Sequence, residues 1–405
     1  MKTIVSVTPL QVTADTRTFK IATSFARFGY RSIVVEGEKS ELACSGLPFE
    51  LRSPRIFSSA IAGMSQNGSE VQIGEKKKLQ DRIRQWVKRL PEFLQKPLFC
   101  LAFPPWYLKS FVLGPASVLP NASLYYLHAP YQFPAVYWVS RREDTPIIYD
   151  AHDFYPVVTP SLFYRRLEAW CAEKAAAVVT VSKGIAELIE REFGSQAMVV
   201  RNCQDVRLER TPAQGLREIL RLPSDSFLLV AVGQVKPGQA AAEAVEAMAS
   251  LPQRVHLAFL GKNTEMYQEM VKQYRLQSRV HLVPPVKQDE VVQFISSADA
   301  AIILYYPLSP NYVNCLPNGF FQSFSAGLPL LYPELPEIKR LAEHYGLGLP
   351  IDPKSPESIQ GAVMSMLNDD NSLAKHKQNS LAARLALSWE QEEVILHDLV
   401  KEIIG

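Results

Sequence analysis

Short β-branched runs alternate with longer amphipathic segments almost from end to end of this chain, and no other feature restricts its folding as much. A chain patterned in this way buries its apolar faces as parallel strands wrapped by helices. In the first half, strands are expected at Thr3 to Val7, Ser32 to Glu36, Leu124 to Leu127, Pro146 to Asp150, Ala177 to Val181 and Met198 to Val200. Between the first two, Thr18 to Phe28 carries apolar residues at helical spacing and stops on Gly29. After Arg201-Asn202 and a polar stretch at residues 205–214 the pattern starts again. Strands are then expected at Phe227 to Val232, Val255 to Leu260, Arg279 to Val283, Ala300 to Leu304, Leu328 to Leu331 and Gly348 to Ile351. This predicts a second doubly wound unit. A last helix, about Trp389 to Ile404, has no strand after it.

The chain's 405 residues exceed what one hydrophobic core usually supports. Two domains are therefore expected, 1–205 and 206–385, with the helix of 386–405 crossing back to the first. Basic and acidic side chains nearly balance, and the net charge of +2 gives no reason to expect nucleic-acid binding. The five cysteines, Cys44, Cys100, Cys171, Cys203 and Cys315, are scattered without a Cys-x-x-Cys pair, a usage that fits free thiols in a reducing cytosol. Ile4 to Val7 is too short for a signal-peptide core. Prolines, Lys109 and Gly114 interrupt the apolar stretch at 97–119, so no membrane span is expected. Residues 44–74 lose periodicity and read as a loop. Residues 75–95 place Leu79, Ile83, Trp86, Val87, Leu90 and Leu94 on one helical face beside seven Lys and Arg. Such a helix lies either on an anionic membrane surface or against the core with a solvated basic side.

In open α/β sheets ligands bind beyond the carboxyl ends of the strands, and four strand-end loops carry candidate chemistry. The first, residues 8–17, leads into a helix whose start Asp15 either caps or equips for function. The second, Tyr149-Asp150-Ala151-His152-Asp153, crowds an imidazole and two carboxylates at one strand end. His128 ends another strand, where a structural role is the plain alternative. The third, Gly233-Gln234-Val235-Lys236-Pro237-Gly238, lets backbone amides approach a phosphate and adds a lysine charge. It is neither Gly-x-Gly-x-x-Gly nor a Walker loop, which disfavours a dehydrogenase or an ATPase. The fourth runs from Asn314 through Leu316, Pro317 and Asn318 to Gln322. It starts a helix whose amide end can face a diphosphate, with Gln322 one turn in.

These motifs, in this order, resemble the family 4 glycosyltransferases. The matching pieces are Asp15-Thr16-Arg17, the Tyr149 to Asp153 run, Val181-Ser182-Lys183-Gly184-Ile185, Val200-Arg201-Asn202, Leu316-Pro317-Asn318 through Ala326-Gly327-Leu328-Pro329, and Ser388-Trp389-Glu390. The resemblance implies a GT-B architecture, two doubly wound Rossmann-like domains facing a central cleft. It also implies transfer from a nucleotide-diphosphate sugar to a glycan, lipid-linked or small-molecule acceptor, with retention and without metal or other cofactor. Gly233, Gln234, Lys236, Gly238, Asn314, Leu316, Pro317, Asn318 and Gln322 would hold the donor. Asp15, Arg17, His128, His152 and Asp153 would line the acceptor side. The implied place is the cytoplasm, at the membrane face if residues 75–95 bind it. Two departures stand out: Asn318 and Gln322 replace the family's usual Lys and Glu, and the phosphate loop keeps Lys236 alone. They motivate a second reading, a degenerate scaffold or partner subunit, and a third is a GT-B sugar-nucleotide epimerase.

Overall fold

The computed structural model describes residues 1–13, 15–37, 46–54, 107–158, 161–235 and 239–405, with only the backbone of 108–110. Residues 75–95, Lys236 and Gly238 lie outside the described residues. Contacts divide the described chain into two compact units, Met1–Val179 with Val400–Gly405, and Thr180–Leu399.

One sheet has seven strands in the order β3-β2-β1-β4-β5-β6-β7. They are β1 (Thr3–Thr8), β2 (Arg31–Glu36), β3 (Glu50–Arg52), β4 (Leu124–His128), β5 (Ile147–Ala151), β6 (Ala177–Thr180) and β7 (Ala197–Val199). The pairings from β3 through β5 are parallel, with Ser6 beside Tyr126 and His128 beside Asp150. β1, β4 and β5 are buried along nearly their whole length, which is why their sequences are mostly apolar on both faces. β3 corrects the expectation of an unbroken loop at 44–74. Its neighbour Phe49 is buried with Val12, Ala22 and Val34, and three residues were too few to show a period.

Helix α1 (Thr16–Arg27) starts on Asp15, whose carboxylate accepts the Thr18 N–H, and ends before Gly29 at φ +85°. α2 (Phe133–Glu143), α3 (Leu162–Lys174) and α4 (Lys183–Phe193) follow, the last capped by the Ser182 hydroxyl.

The second sheet is parallel throughout, in the order β10-β9-β8-β11-β12-β13. Its strands are β8 (Phe227–Val232), β9 (Val255–Leu260), β10 (Val280–Val283), β11 (Ala300–Ile302), β12 (Leu330–Pro333) and β13 (Gly348–Ile351). β12 begins two residues later than the sequence predicts. Gly327, at φ +77°, first closes the preceding helix, and the Leu328 N–H bonds back to the Ser323 carbonyl. The helices here are α5 (Ala241–Ser250), α6 (Asn318–Ser325), α7 (Pro336–Tyr345), α8 (Pro356–Asn368), α9 (Asp370–Ala386) and α10 (Trp389–Ile404). α6 is held by Phe320, Phe321 and Phe324, all fully buried and in mutual edge contact. Each such phenyl contributes about 1.5–3 kcal/mol of burial energy, so this helix is fixed firmly against its sheet.

On β9 and β10, His256 and His281 face each other, Nδ1 to Nε2 at 3.1 Å. Burial and the neighbouring His256 push His281 down to about 4, while burial with Arg279 and Arg217 lowers His256. A histidine depressed from its ordinary 6.5 leaves the unfolded chain binding more protons over the window between the two values. Stability should therefore fall as pH drops from about 6.5 towards about 4. Urea midpoints taken across that range should flatten in His281→Gln; an unchanged slope would assign the acid sensitivity to other groups.

Candidate functional site

Strand order reverses direction between β1 and β4 in the first sheet and between β8 and β11 in the second. Such switch points leave a crevice at the carboxyl ends of the strands, and the candidate residues gather at both.

In the first unit the Arg17 guanidinium grips the Asp150 carboxylate twice, Nε to Oδ2 at 2.7 Å and Nη2 to Oδ1 at 2.9 Å. Both side chains are almost wholly buried. Burial pushes the Asp150 carboxyl up, but Arg17 and His128 together outweigh it and hold it well below the usual carboxylate range. His128 Nδ1 lies 3.2 Å from Asp150 Oδ2, within ion-pair reach yet off the direction of a hydrogen bond. Neither nitrogen of this fully buried ring has a hydrogen-bond partner among the described residues.

Asp15 does cap α1, and it does more. Its carboxylate also accepts the hydroxyls of Thr8, at 3.0 Å, and Thr18. Burial raises Asp15, but His128 and His152 together with the Thr18 bonds pull it below its ordinary value, so it stays ionised. His152 Nε2 meets the Tyr155 hydroxyl at 3.1 Å, and its buried Nδ1 has no partner among the described residues. Asp153 follows directly, and after burial its charge is the main reason Tyr155 titrates well above 10.0. The three titratable groups read together at 150–153 thus divide: Asp150 is committed to Arg17, while His152 and Asp153 stand with Tyr155.

In the second unit, β8 is followed by Gly233 at φ +136°, whose N–H donates to the Leu260 carbonyl at 2.9 Å. A Cβ on Gly261 would stand 2.0 Å from the Gly233 oxygen, and one on Gly319 would stand 2.4 Å from the Val232 oxygen. Only glycine lets these backbones touch. A pocket opens here, lined among others by Val232, Gly233, Val235, Tyr305, Pro317 and Gly319. Pro317 brings no side-chain cap to α6, leaving the helix's positive amide end for an anion.

The other candidates are placed differently. Gln234, half-buried, follows Gly233. Leu316 packs its side chain into the core. Asn314 is tied towards the start of α4, where its carbonyl accepts the Ser182 hydroxyl at 2.7 Å and its side chain donates to Pro310. Asn318 accepts from Asn202 Nδ2 at 2.8 Å, and Gln322, 4% exposed, donates to Gln288 Oε1 at 3.2 Å. The sequence reading missed Gly319, Gln288 and the Glu337 carboxylate that accepts the Gly184 N–H at 3.0 Å. Gly319 had a signal, a glycine in the first turn of a helix, which costs stability unless something must come close.

Among the described residues no helix is long and apolar enough to cross a membrane. Residues 213–382 match the family profile described as glycosyl transferases group 1, and residues 59–203 match the glycosyl transferase 4-like domain. No curated protein matches the chain significantly. Solved structures do. Sucrose-phosphate synthase from Thermosynechococcus elongatus superposes with TM-score 0.69 at 15% identity, covering 99% of each chain. Anabaena HepE in complex with UDP-glucose gives 0.71 at 14% identity over 98% of this chain and 99% of its own. A glycosyltransferase from Rickettsia africae gives 0.67 at 11% over 100% and 99%. At such identities the likeness is one of fold. Two doubly wound parallel sheets with this likeness define a GT-B protein. The chain belongs to the family 4-like glycosyltransferases.

Proposed function

We propose that the second unit binds a nucleotide-diphosphate sugar and that the first presents a glycan, lipid-linked or small-molecule acceptor, the sugar passing with retention and without a divalent metal. The observation that carries this reading is the pocket where Gly319 presses the first turn of α6 onto the end of β8 beside the Gly233 turn. A diphosphate seated there meets the amide end of a helix fixed by three buried phenyl rings. The demanding part of the transfer is stabilising the departing diphosphate, and preorganised dipoles act strongly where water is excluded. Lys236, which follows Val235 in sequence, is proposed to add a positive charge. Asp15, His128, His152 and Asp153 are proposed to act on the acceptor side, and residues 75–95 to meet an anionic membrane surface if the acceptor is lipid-linked.

Calorimetric titration of the purified protein with nucleoside diphosphates and their sugars tests the donor site. UDP heads the panel because HepE was crystallised with UDP-glucose. One nucleotide class should bind at micromolar affinity, the diphosphate more tightly than the monophosphate. A folded sample that binds none would favour the scaffold reading that Asn318 and Gln322 motivate.

A further inference from the structure

Resting on the reading that Asp15 serves the acceptor side, we infer that Glu36 and Gly37, where β2 ends, are positioning residues that hold the turn between β1 and α1 and through it set the Asp15 carboxylate. Glu36 is fully buried. Its Oε2 accepts the Val12 N–H at 3.1 Å and its Oε1 accepts the Ser53 hydroxyl at 2.7 Å. A carboxylate is a costly side chain to bury, and what it supplies here is two directed bonds, one of them to a backbone donor in a turn. The Val12 side chain packs with Ala22, Val34 and Phe49 beneath the same turn. Gly37 fastens the start of the turn. Its N–H donates to the Thr8 carbonyl at 2.8 Å, and a Cβ there would stand 2.5 Å from the Pro9 oxygen. Only glycine allows that approach.

Thr8 and Gln11 pass the constraint on. Thr8, whose carbonyl Gly37 holds, gives its hydroxyl to Asp15 Oδ2 at 3.0 Å. Gln11, next to the Val12 that Glu36 holds, accepts the Asp15 N–H at 3.2 Å. Asp15 is thus fixed by its side chain through Thr8 and by its backbone through Gln11, and both paths lead to Glu36 and Gly37. A displacement of about 1 Å at a group that acts on a substrate can cost about a hundredfold in rate.

The test compares wild type with Glu36→Gln, Glu36→Met and Gly37→Ala, and with Ser32→Ala as a control. Ser32 is buried towards the other end of β2, and its hydroxyl bonds the Ala22 carbonyl at 2.8 Å, so its loss weakens the strand without touching the clamp. Each sample is read for melting temperature, hydrogen exchange of a peptide spanning residues 8–15, and nucleotide released from the nucleotide sugar that binds in the titration, UDP-glucose first. Glu36→Gln can accept the Val12 N–H through its oxygen and donate to Ser53, and should keep wild-type turnover. Glu36→Met has similar length and makes neither bond. Exchange of the turn should rise and turnover should fall about ten- to hundredfold, with UDP affinity unchanged. Gly37→Ala should do the same by displacing Pro9. Ser32→Ala should lower the melting temperature and leave turnover unchanged. The inference is overturned, with the glycosyl-transfer reading left standing, if exchange does not rise in Glu36→Met, if the loosened variants turn over like wild type, or if Glu36→Gln falls as far as Glu36→Met. A loss of turnover in Ser32→Ala matching its loss of melting temperature overturns it too, because stability alone then sets the rate. Wild type that releases no nucleotide from any donor it binds overturns the acceptor-side reading itself and the inference with it.

Discussion

Asp150→Ala should destabilise the protein by about 3–5 kcal/mol, because it strips the Arg17 guanidinium of the carboxylate it grips twice in a dry interior. Both partners are almost wholly removed from water, and Arg17 makes two short bonds to the one carboxylate. The penalty lies in the orphaned charge more than in the lost pair. Arg17→Met combined with Asp150→Leu should therefore unfold at a higher urea concentration than Asp150→Ala alone. If the double variant is no more stable than the single one, local packing and not the buried charge governs this site.

Acid should act on the same pair. Asp150 titrates well below its ordinary 3.8 in the folded chain, so its contribution is fully present above about pH 4 and is lost as pH falls towards the folded value. His281 loses its contribution in a higher window, which separates the two events in a pH series.

The alternation of β-branched runs and amphipathic segments made the two sheets legible, because strands buried on both faces must be continuously apolar. β1, β4, β5, β8 and β9 are mostly apolar and mostly buried. β3 escaped because an edge strand of three residues carries no period. Cap signals read well where the chemistry is local: Asp15, Gly29 and Gly327 act within a turn of their own position. The candidate sites read less well because their partners come from distant sequence. Nothing in Asp150 announces Arg17, 133 residues away, and nothing in Gln322 announces Gln288 on another element. Leu316 and Asn314 show the opposite error, in which neighbours along a motif diverge in space.

His152→Ala and Asp153→Ala should each lower turnover about 10²- to 10⁴-fold, the usual range for a positioned proton-transfer group, while the affinity for nucleotide stays within about twofold. Asp150 carries the buried ion pair, and Asp15 accepts two threonine hydroxyls and a backbone N–H. His152 is only half-buried and keeps Nδ1 without a partner among the described residues, with Tyr155 holding the other edge of its ring. An imidazole oriented on one nitrogen and unpaired at the other, which is buried, has capacity left to hold the hydrogen of an acceptor hydroxyl, and the adjacent Asp153 carboxylate favours the charge that develops there. Tyr155→Phe removes only the orienting hydroxyl and should cost less, about tenfold. Turnover is read as nucleotide released from the donor sugar, and binding by calorimetry on the same samples. Variants that bind nucleotide normally yet turn over like wild type would remove His152 and Asp153 from the chemistry and leave His128, whose nitrogens also lack partners among the described residues, as the residue to substitute next.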